Sequence, residues 1–390
     1  MSSPRMLIAL TGARAPATLE LANLLSADGI DVDLVDSAPW AIGRWSRAHG
    51  PLFRIPSPRY AADDCAARLR ELSALRQWQA IVPTCEEIFH LARWVADDPR
   101  VLGVPLWAPP FATLAGVHHK GAFVTWAEAA GLAVPQTLEL TAPLDELSRA
   151  SKPGAWVLKP AWSRFGTRVH LIGNSDAWPT QVVPSMREPW ILQRRLHGVP
   201  WCTWSVARAG ELVAHSAYRV EATAGPIGAA IAFRIERHAR IEAWVAQFVA
   251  VHALTGQFAF DFVDTPDGPL PLECNPRLTS GVHGFRGARG VGKALVRAFA
   301  RESPAAHEVL RPPDGNRFTS AIALRTYRQR VALGADLLDL PNDPWPKRLQ
   351  LLSYGWLVTG AAWRRMDPRA YSTHDIEWNG PASENSRAAR

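Results

Sequence analysis

The stretch FAFDFVDTPDGPLPLECNPRLTSG, residues 258–281, carries the most informative pattern in the chain. Apolar and polar side chains alternate with period two on both sides of a Pro/Gly turn at residues 265–268, which predicts two short strands joined as a hairpin. A turn of this length sets Asp261 opposite Glu273 on neighbouring strands. The same alternation gives the other face of the second strand to Leu270, Leu272 and Cys274.

Oxygen-bearing side chains collect on one face of this predicted hairpin, because Asn275 shares the face of Glu273 and Asp261 lies opposite. Two carboxylates this close repel each other unless a cation lies between them. A cluster of Asp, Glu and Asn suits Mg²⁺, which takes its remaining oxygens from water and phosphate. Arg277, two residues further on, is well spaced to meet a phosphate. A surface hairpin with solvated acids is the alternative that these residues alone leave open.

The composition is that of a soluble globular protein with room for two or three domains, since 47% of the 390 residues are hydrophobic and 20% are charged. No apolar run approaches the roughly 18 residues of a membrane span, and the first apolar run continues into a predicted strand rather than a signal peptide. We therefore expect a cytoplasmic protein. The four cysteines form no CxxC pair, which argues against a disulfide framework and a zinc site.

The net charge of +7 raises the question of an anionic partner. The basic residues are scattered and no nucleic-acid-binding motif accompanies them, so a nucleic-acid partner is the weaker interpretation. Only five of the 43 basic residues are lysines. Their positions are informative, because arginine fills most places where any cation would serve.

The first hundred residues follow the order of a Rossmann-like parallel sheet. Residues 6–10 form a predicted strand, followed by a glycine turn, a helix and a second strand at residues 30–35. The full GxGxxG fingerprint is absent, so dinucleotide binding is not supported. Glu86 and Glu87 precede a predicted helix, and we expect them to interact with its dipole.

Two of the rare lysines lie in the middle of the chain. Lys120 begins a predicted amphipathic helix, and Lys159 ends the strand WVLKP at residues 156–160. The loop AWSRFGTR, residues 161–168, follows that strand and leads into another at residues 169–172. A loop of small residues between two strands can bring backbone N–H groups close to phosphates. Taken singly, each lysine is more often a surface residue than a ligand.

This order of elements resembles the ATP-grasp superfamily over nearly the whole chain up to about residue 300, and within it the carbamoyl-phosphate-synthase-type or biotin-carboxylase-like carboxylate-amine ligases. The resemblance implies an α/β protein with α+β catalytic lobes. It divides this part into a Rossmann-like domain (1–110) and two ATP-grasp lobes (111–192 and 193–302). A C-terminal extension (303–390) follows, and its polar residues 383–390 predict a disordered tail.

The resemblance also implies roles for individual residues. Lys120 and Lys159 would bind phosphates, Arg277 and Lys159 would act in catalysis, and Asp261, Glu273 and Asn275 would hold the metal. The remaining nucleotide-binding positions fall in the loop and in the strand that meets adenine: Ser163, Gly166, Thr167, Gln193, Arg194 and Leu196.

Three features depart from the family pattern. The loop has a single glycine, Gly166, where many relatives have three or more. Relatives often carry an acid for the ribose hydroxyls after the position of Gly198, but here Val199, Pro200 and Trp201 follow. Ala259 stands where some peptide-ligase relatives have an arginine. The ribose partner is therefore not identified.

The resemblance implies an enzyme that uses ATP and Mg²⁺, with Mn²⁺ as a possible substitute, to convert a carboxylate into an acyl phosphate that an amine captures. Its expected partners are small-molecule carboxylates and amines, and a homodimer is an open arrangement. Arg286 and Arg289 are candidates to bind a substrate carboxylate, although in an arginine-rich chain they are more often surface residues. Residues 303–390 could shape the acceptor pocket. A nucleotide-binding module without catalysis is the main alternative, and a basic nucleic-acid-binding protein is a weaker one.

Overall fold

The computed structural model describes residues 5–142, 155–164, 166, 168–173, 178–225, 227–299 and 308–381. Thr167 and the tail predicted to be disordered lie outside these residues. Within the described ranges, no helix has both the length and the apolar character needed to cross a membrane.

The N-terminal part contains a parallel four-stranded sheet, as the sequence predicted. Its strands are β1 (Leu7–Thr11), β2 (Asp31–Asp36), β3 (Phe53–Arg54) and β4 (Ala80–Val82), in the order β3-β2-β1-β4. Helices α1 (Pro16–Ala27), α2 (Ala62–Arg76) and α3 (Glu87–Asp97) connect or follow them. Alternate β1 residues enter two cores, with Ile8 and Leu10 in one and Ala9 in the other, so both sheet faces are covered.

The second sheet is antiparallel and has the order β5-β8-β6-β7. Its strands are β5 (Thr137–Leu140), β6 (Trp156–Pro160), β7 (His170–Ile172) and β8 (Trp190–Arg194), and the helices before it are α4 (Phe111–His118) and α5 (Lys120–Ala129). Trp156 and Leu158 of β6 are buried in the core of this lobe. Because side chains alternate along a strand, Val157 and Lys159 point to the opposite face, which lines a cavity.

The third sheet has seven strands in the order β13-β12-β9-β10-β11-β14-β15. The strands are β9 (Val199–Arg208), β10 (Glu211–Thr223), β11 (Ala230–Ile235), β12 (Gly256–Thr265), β13 (Gly268–Asn275), β14 (Arg317–Thr319) and β15 (Ala335–Asp336). The helices of this half are α6 (Ala239–Val251), α7 (Val291–Phe299), α8 (Ala321–Thr326), α9 (Trp345–Trp363) and α10 (Pro368–Tyr371). The C-terminal segment therefore adds the two last strands of this sheet.

An aromatic cluster fixes α6 against the predicted hairpin. Trp244 and Phe248 of α6 stack on each other with ring centroids 5.3 Å apart, and Trp244 meets Phe262 edge to face at 5.3 Å. Phe258 and Phe260 are fully buried beside them. This packing turns one face of β12 into the core, so Asp261 is directed to the other face.

Candidate active site

A cavity of about 850 Å³ lies where elements of all three sheets converge. The residues of the predicted nucleotide and metal site that line it are Lys120, Lys159, Ser163, Gly166, Gln193, Arg194, Leu196, Asp261, Glu273, Asn275 and Arg277. Loops at the carboxyl ends of β1 and β4 close one side of the cavity with Arg14 and with residues 84–86. Among the predicted nucleotide and metal residues, the structure thus brings together Lys120 and Arg277, which are 157 positions apart.

The two carboxylates of the hairpin face each other as predicted, because Asp261 of β12 pairs with Glu273 of β13. The Nδ2 group of Asn275 lies 3.4 Å from Oδ2 of Asp261. The alternation predicted for β13 is wrong at one point, since Phe262 pairs with Pro271 and Leu272 is an additional residue in the register. This bulge brings Leu272 to the cavity instead of the face of Cys274.

Burial and mutual repulsion perturb this carboxylate pair. Burial, reinforced by the charge of Glu273, raises the pKa of Asp261. Burial alone would also raise the pKa of Glu273, but the ammonium groups of Lys120 and Lys159 outweigh it and lower that pKa. A divalent cation would relieve the repulsion of the pair and suits its oxygen donors. The side chains present therefore fit a magnesium ion.

The ligand set needs oxygens from elsewhere to complete a coordination shell. Among the described residues, no group of three or more His, Cys, Asp and Glu side chains could hold a metal ion. Two carboxylates and one amide match a site in which Mg²⁺ keeps water and takes substrate oxygens.

Lys120 connects the metal-ligand pair to the loop after β6. Its Nζ atom lies 3.2 Å from Oε2 of Glu273 and donates a 2.7 Å hydrogen bond to the carbonyl oxygen of Ser163. The side chain is only 2% exposed, although it carries a full ammonium group at the start of α5. A cation this deeply buried requires anionic or polar partners, and here they are one carboxylate and one carbonyl oxygen.

Lys159 lies beside the same carboxylates, on β6. Its Nζ atom donates hydrogen bonds to Oε1 of Gln193 at 3.0 Å and to the carbonyl oxygen of Leu272 at 3.2 Å. Burial lowers the pKa of Lys159 to about 8, although the nearby Glu273 opposes this shift. Gln193 also donates to Oγ1 of Thr137 at 3.1 Å, which fixes its amide and so orients the lysine.

The adenine-strand prediction falls on β8 and the turn that follows it. Arg194 and Leu196 line the cavity beyond Gln193, together with the apolar side chains of Val157 and Leu171. The guanidinium of Arg194 lies over the ring of Trp156, 5.5 Å from its centroid, so this side chain makes a cation–π contact within the protein. An apolar wall next to exposed strand backbone can accept a flat ring.

The loop after β6 is anchored at both ends of its described part. Gly166 has φ +63°, and a Cβ atom there would collide with the backbone carbonyl of Ile227. A glycine is therefore required, because it tolerates both the left-handed conformation and the close approach. Ser163 donates to the carbonyl oxygen of Pro160 at 3.2 Å.

Glu86 is a site residue that the sequence analysis assigned to a helix dipole. It is 1% exposed and lies between two guanidinium groups, 2.9 Å from Nε of Arg277 and 3.2 Å from Nε of Arg164. Burial would raise the pKa of Glu86, but Arg164 and Arg277 outweigh it and lower that pKa to about 2. Its neighbour Glu87, assigned to the same dipole, accepts at Oε1 from the backbone N–H groups of Thr84 and Cys85, which precede α3.

The C-terminal segment holds the loop after β6 in place. Arg164 donates to Oε2 of Glu377 at 2.7 Å, to the carbonyl oxygen of Trp378 at 3.0 Å and to Oδ1 of Asn379 at 2.8 Å. Trp378 is buried against Phe89, whose ring centroid is 5.2 Å away. The segment therefore links the loop to helix α3 of the N-terminal part.

A second contact of the same segment involves Arg14, which follows β1. Its guanidinium donates to Asp36 at 2.6 Å and to Asp375 at 2.6 Å. Burial would raise the pKa of Asp375, but the charge of Arg14 and its hydrogen bond outweigh this and lower that pKa to about 2. The side chain of Arg14 thus has carboxylate partners on both sides.

Arg286 and Arg289 do not reach the site in the described part of the chain, in contrast to the substrate role expected for them. Arg286 donates to Oε2 of Glu20 at 2.6 Å and to the carbonyl oxygen of Leu337 at 2.9 Å. Arg289 donates to the carbonyl oxygen of Ala27 at 3.0 Å. Both guanidinium groups are used in packing α1 against later elements, which leaves them away from the cavity.

Some missed residues had a signal in the sequence. Ligands of open α/β sheets collect at the carboxyl ends of the strands, and both Arg14 and Glu86 follow strands that the sequence analysis predicted. Arg164 and Glu377 had no such signal. Their pairing joins positions 213 residues apart, and neither lies in a recognisable motif.

No protein-family model matches this sequence, and no curated protein sequence matches it either. Solved structures do match. The L-amino acid ligase of Bacillus licheniformis is 14% identical with a TM-score of 0.57, over 75% of each chain.

Two other matches are similar in extent. The biotin carboxylase domain of Hydrogenobacter thermophilus 2-oxoglutarate carboxylase, solved with MgADP, is 15% identical with a TM-score of 0.58, over 80% of this chain and 73% of that one. The carboxyaminoimidazole ribonucleotide synthase of Aspergillus clavatus, solved with ATP, is 12% identical with a TM-score of 0.59, over 80% of this chain and 81% of that one. These are ATP-grasp enzymes, and the chain has the ATP-grasp fold.

Proposed function

We propose that this protein is an ADP-forming, Mg²⁺-dependent ligase that activates a carboxylate as an acyl phosphate for capture by an amine. One observation carries the proposal. Two buried lysines, Lys120 and Lys159, and two facing carboxylates, Asp261 and Glu273, surround one end of a single cavity. Phosphoryl transfer needs positioning and charge neutralisation more than covalent help from the protein, and this arrangement supplies both.

Mg²⁺ held by Asp261, Glu273 and Asn275 would neutralise charge on the phosphate oxygens of ATP. The lysines provide the remaining positive charge. Lys159 is largely protonated at neutral pH, because its lowered pKa of about 8 still lies above 7. Lys120 contacts Glu273 and Ser163, and it would exchange the first contact for a phosphate while keeping the second.

Arg277 is the residue proposed to meet charge on the transferred phosphoryl group. Glu86 holds its Nε atom, while Nη2 lies 3.4 Å from Oδ1 of Asn275, next to the metal ligands. A guanidinium fixed in this way needs little reorganisation during the reaction, which is the condition under which such a group stabilises a transition state. The loop containing Ser163 and Gly166, held through Arg164, would keep water from the acyl phosphate.

The solved structures support the same chemistry. The Bacillus licheniformis protein is named an L-amino acid ligase, and the other two were solved with MgADP and with ATP. We extend the nucleotide and the general ligase reaction to this chain on the strength of its own lysines and carboxylates. The substrates would be small molecules.

A screen of carboxylates and amines by phosphate release tests the proposal, with product masses and the nucleotide product determined together. The expected result is release of ADP and phosphate that depends on one carboxylate and one amine. Lys159→Met serves as the control variant and should need ~10-fold more MgATP for the same rate. Formation of AMP, or nucleotide binding without turnover across the whole screen, would contradict the acyl-phosphate mechanism.

A further inference from the structure

The cavity extends well beyond the proposed ATP end, along the face of the seven-stranded sheet. Asp261 of β12 pairs with Cys202 of β9, which in turn pairs with Tyr218 of β10. The three residues therefore lie side by side in one row across β12, β9 and β10. Two strand spacings separate Asp261 from Tyr218, a distance of roughly 10 Å.

The cavity continues past Tyr218 to the opposite edge of the sheet. Val220 of β10, Ile322 of α8 and Leu337 after β15 line it there. Four strand spacings lie between β12 and β14, which corresponds to roughly 19 Å. We call this part the distal chamber and define it by Trp40, Val220, Ile322, Leu337, Trp356 and Leu357.

Helix α9 forms the outer wall of the distal chamber and is tied to the N-terminal part. Its Ser353 accepts a 2.8 Å hydrogen bond from Nε1 of Trp45. Trp356 and Leu357 remain half-buried and face the cavity, whereas Leu351 of the same helix is 68% exposed. The helix therefore directs one apolar side into the cavity, although it has few fully buried residues.

The charged groups that line the distal chamber already have protein partners. Arg14 is bound by Asp36 and Asp375. The carboxylate of Asp336 accepts from the backbone N–H groups of Leu338 at 2.8 Å and Ala321 at 3.0 Å. Both groups thus have hydrogen-bond partners in the protein, and a charged substrate side chain placed among the apolar residues of the chamber would lose its hydration.

Polar side chains of the chamber are also mostly committed to the protein. Tyr354 shares a 3.0 Å hydrogen bond with Thr326, and Gln350 donates to the carbonyl oxygen of Lys347 at 2.9 Å. The hydroxyl of Thr373 is buried and has no partner among the described residues, and the hydroxyl of Ser320 makes no cap bond at the start of α8. The chamber thus offers mainly apolar contact, together with these two uncharged hydroxyl groups.

We propose that the distal chamber binds a bulky apolar group, aromatic or branched aliphatic and without charge, carried by one of the two molecules that the enzyme joins. This inference rests on the proposed function for the reaction, but its evidence is the lining of the chamber. The reacting end of that molecule lies near Asp261 and Arg277, and its side chain extends past Tyr218. A small side chain would leave this volume unfilled, and a charged one would lose its hydration against apolar side chains.

The test is a matched series of substrates in the phosphate-release assay. The size and charge of the side chain are varied first in the carboxylate partner and then in the amine partner, from methyl through isobutyl to benzyl and indolyl, with carboxymethyl and aminobutyl as charged members. In one of the two series, kcat/KM should rise at least ~10-fold from methyl to benzyl, because each added group gains apolar contact. Equal or faster turnover of the methyl or charged members in both series would overturn the proposal.

A matched pair of variants on α9 separates the chamber from the reaction. Leu357→Asn should lower kcat/KM for the benzyl substrate ~10-fold or more through KM, while the KM for MgATP stays unchanged. Leu351→Asn, on the exposed side of the same helix, should leave both values as in the wild type. An unchanged benzyl preference in Leu357→Asn would refute the chamber assignment even if the ligase activity is found.

Binding without turnover keeps the two proposals distinguishable. Amino acids with uncharged side chains, added alone, should raise the thermal unfolding temperature of the wild type. Phenylalanine should raise it more than alanine does. The rise with phenylalanine should be smaller in Leu357→Asn. Turnover of small carboxylates without any such size dependence would support the reaction and reject the chamber. Size-dependent stabilisation without phosphate release would support the chamber and reject the reaction.

Discussion

Glu86→Gln is the substitution for which the structure gives the clearest magnitude. The glutamine keeps the shape of the side chain but removes the only negative charge between Arg277 and Arg164 in the described part of this cluster. Arg164 retains Glu377 as a partner at 2.7 Å. Arg277 retains contacts of 3.3 to 3.4 Å with neutral oxygens, so it loses more stabilising interaction than Arg164 does.

Two independent arguments give a similar loss of stability. Removing one partner of a buried ion pair costs ~3–5 kcal/mol. The pKa of Glu86 falls from its ordinary value of 4.5 to about 2, which at ~1.4 kcal/mol per pH unit corresponds to ~3 kcal/mol of stabilisation at neutral pH. We therefore expect Glu86→Gln to lower the free energy of unfolding by ~3 kcal/mol at pH 7.

The pH dependence gives a second readout of the same contact. Because the folded-state pKa of Glu86 is lowered, the unfolded chain takes up the proton first, and the stabilisation is complete above pH 4.5 and lost as pH falls towards 2. Urea unfolding followed by tryptophan fluorescence between pH 7 and pH 3 should show a shallower acid dependence for Glu86→Gln than for wild type. Glu71→Gln, at an exposed position on α2, is the control. Parallel profiles for wild type and Glu86→Gln would refute the buried ion pairs.

Three further predictions concern the loop, the lysine and the C-terminal segment. Lys159→Met should raise the KM for MgATP ~10-fold or more. Because burial lowers the pKa of Lys159 to about 8, the wild-type affinity for MgATP should weaken above about pH 8, whereas the affinity of the variant should not change with pH there. Gly166→Ala should slow turnover ~10-fold with little change in the thermal unfolding temperature. The added methyl group is strained by φ +63° and by the contact with Ile227, and this strain is confined to one loop. Turnover equal to that of the wild type would contradict this prediction. Asp375→Asn should lower the free energy of unfolding by ~2 kcal/mol at pH 7. This difference should shrink as pH falls from 3.8 to 2, because wild-type Asp375 becomes protonated in that range. A difference that stays constant in urea titrations would contradict this prediction.

Local patterns were sufficient to predict the parts of the fold that depend on them. The pairing of Asp261 with Glu273 followed from period-two alternation and one turn, and the structure confirms it. The parallel N-terminal sheet followed from strand, turn and helix order. The bulge at Leu272 was not predictable, because a single added residue after Pro271 leaves no mark in an alternating pattern.

Contacts between distant parts of the chain account for most of what the sequence did not reveal. Arg14 and Asp375 are 361 residues apart, and an arginine-rich sequence offers many equivalent candidates for such a pair. Arg286 illustrates the same difficulty, since its spacing after the metal ligands suggested a substrate role but its guanidinium binds Glu20. Which arginine meets which carboxylate is decided by how the three sheets assemble, and local spacing does not encode that.

The most direct test of the central claim is calorimetric titration of ADP into the protein with and without Mg²⁺, because it needs no knowledge of the substrates. For the wild type we predict binding that strengthens at least ~10-fold with Mg²⁺. For Glu273→Gln, with its fold verified by circular dichroism, we predict that this Mg²⁺ dependence disappears. The account would be contradicted if ADP failed to bind, or if Mg²⁺ strengthened binding equally in both proteins.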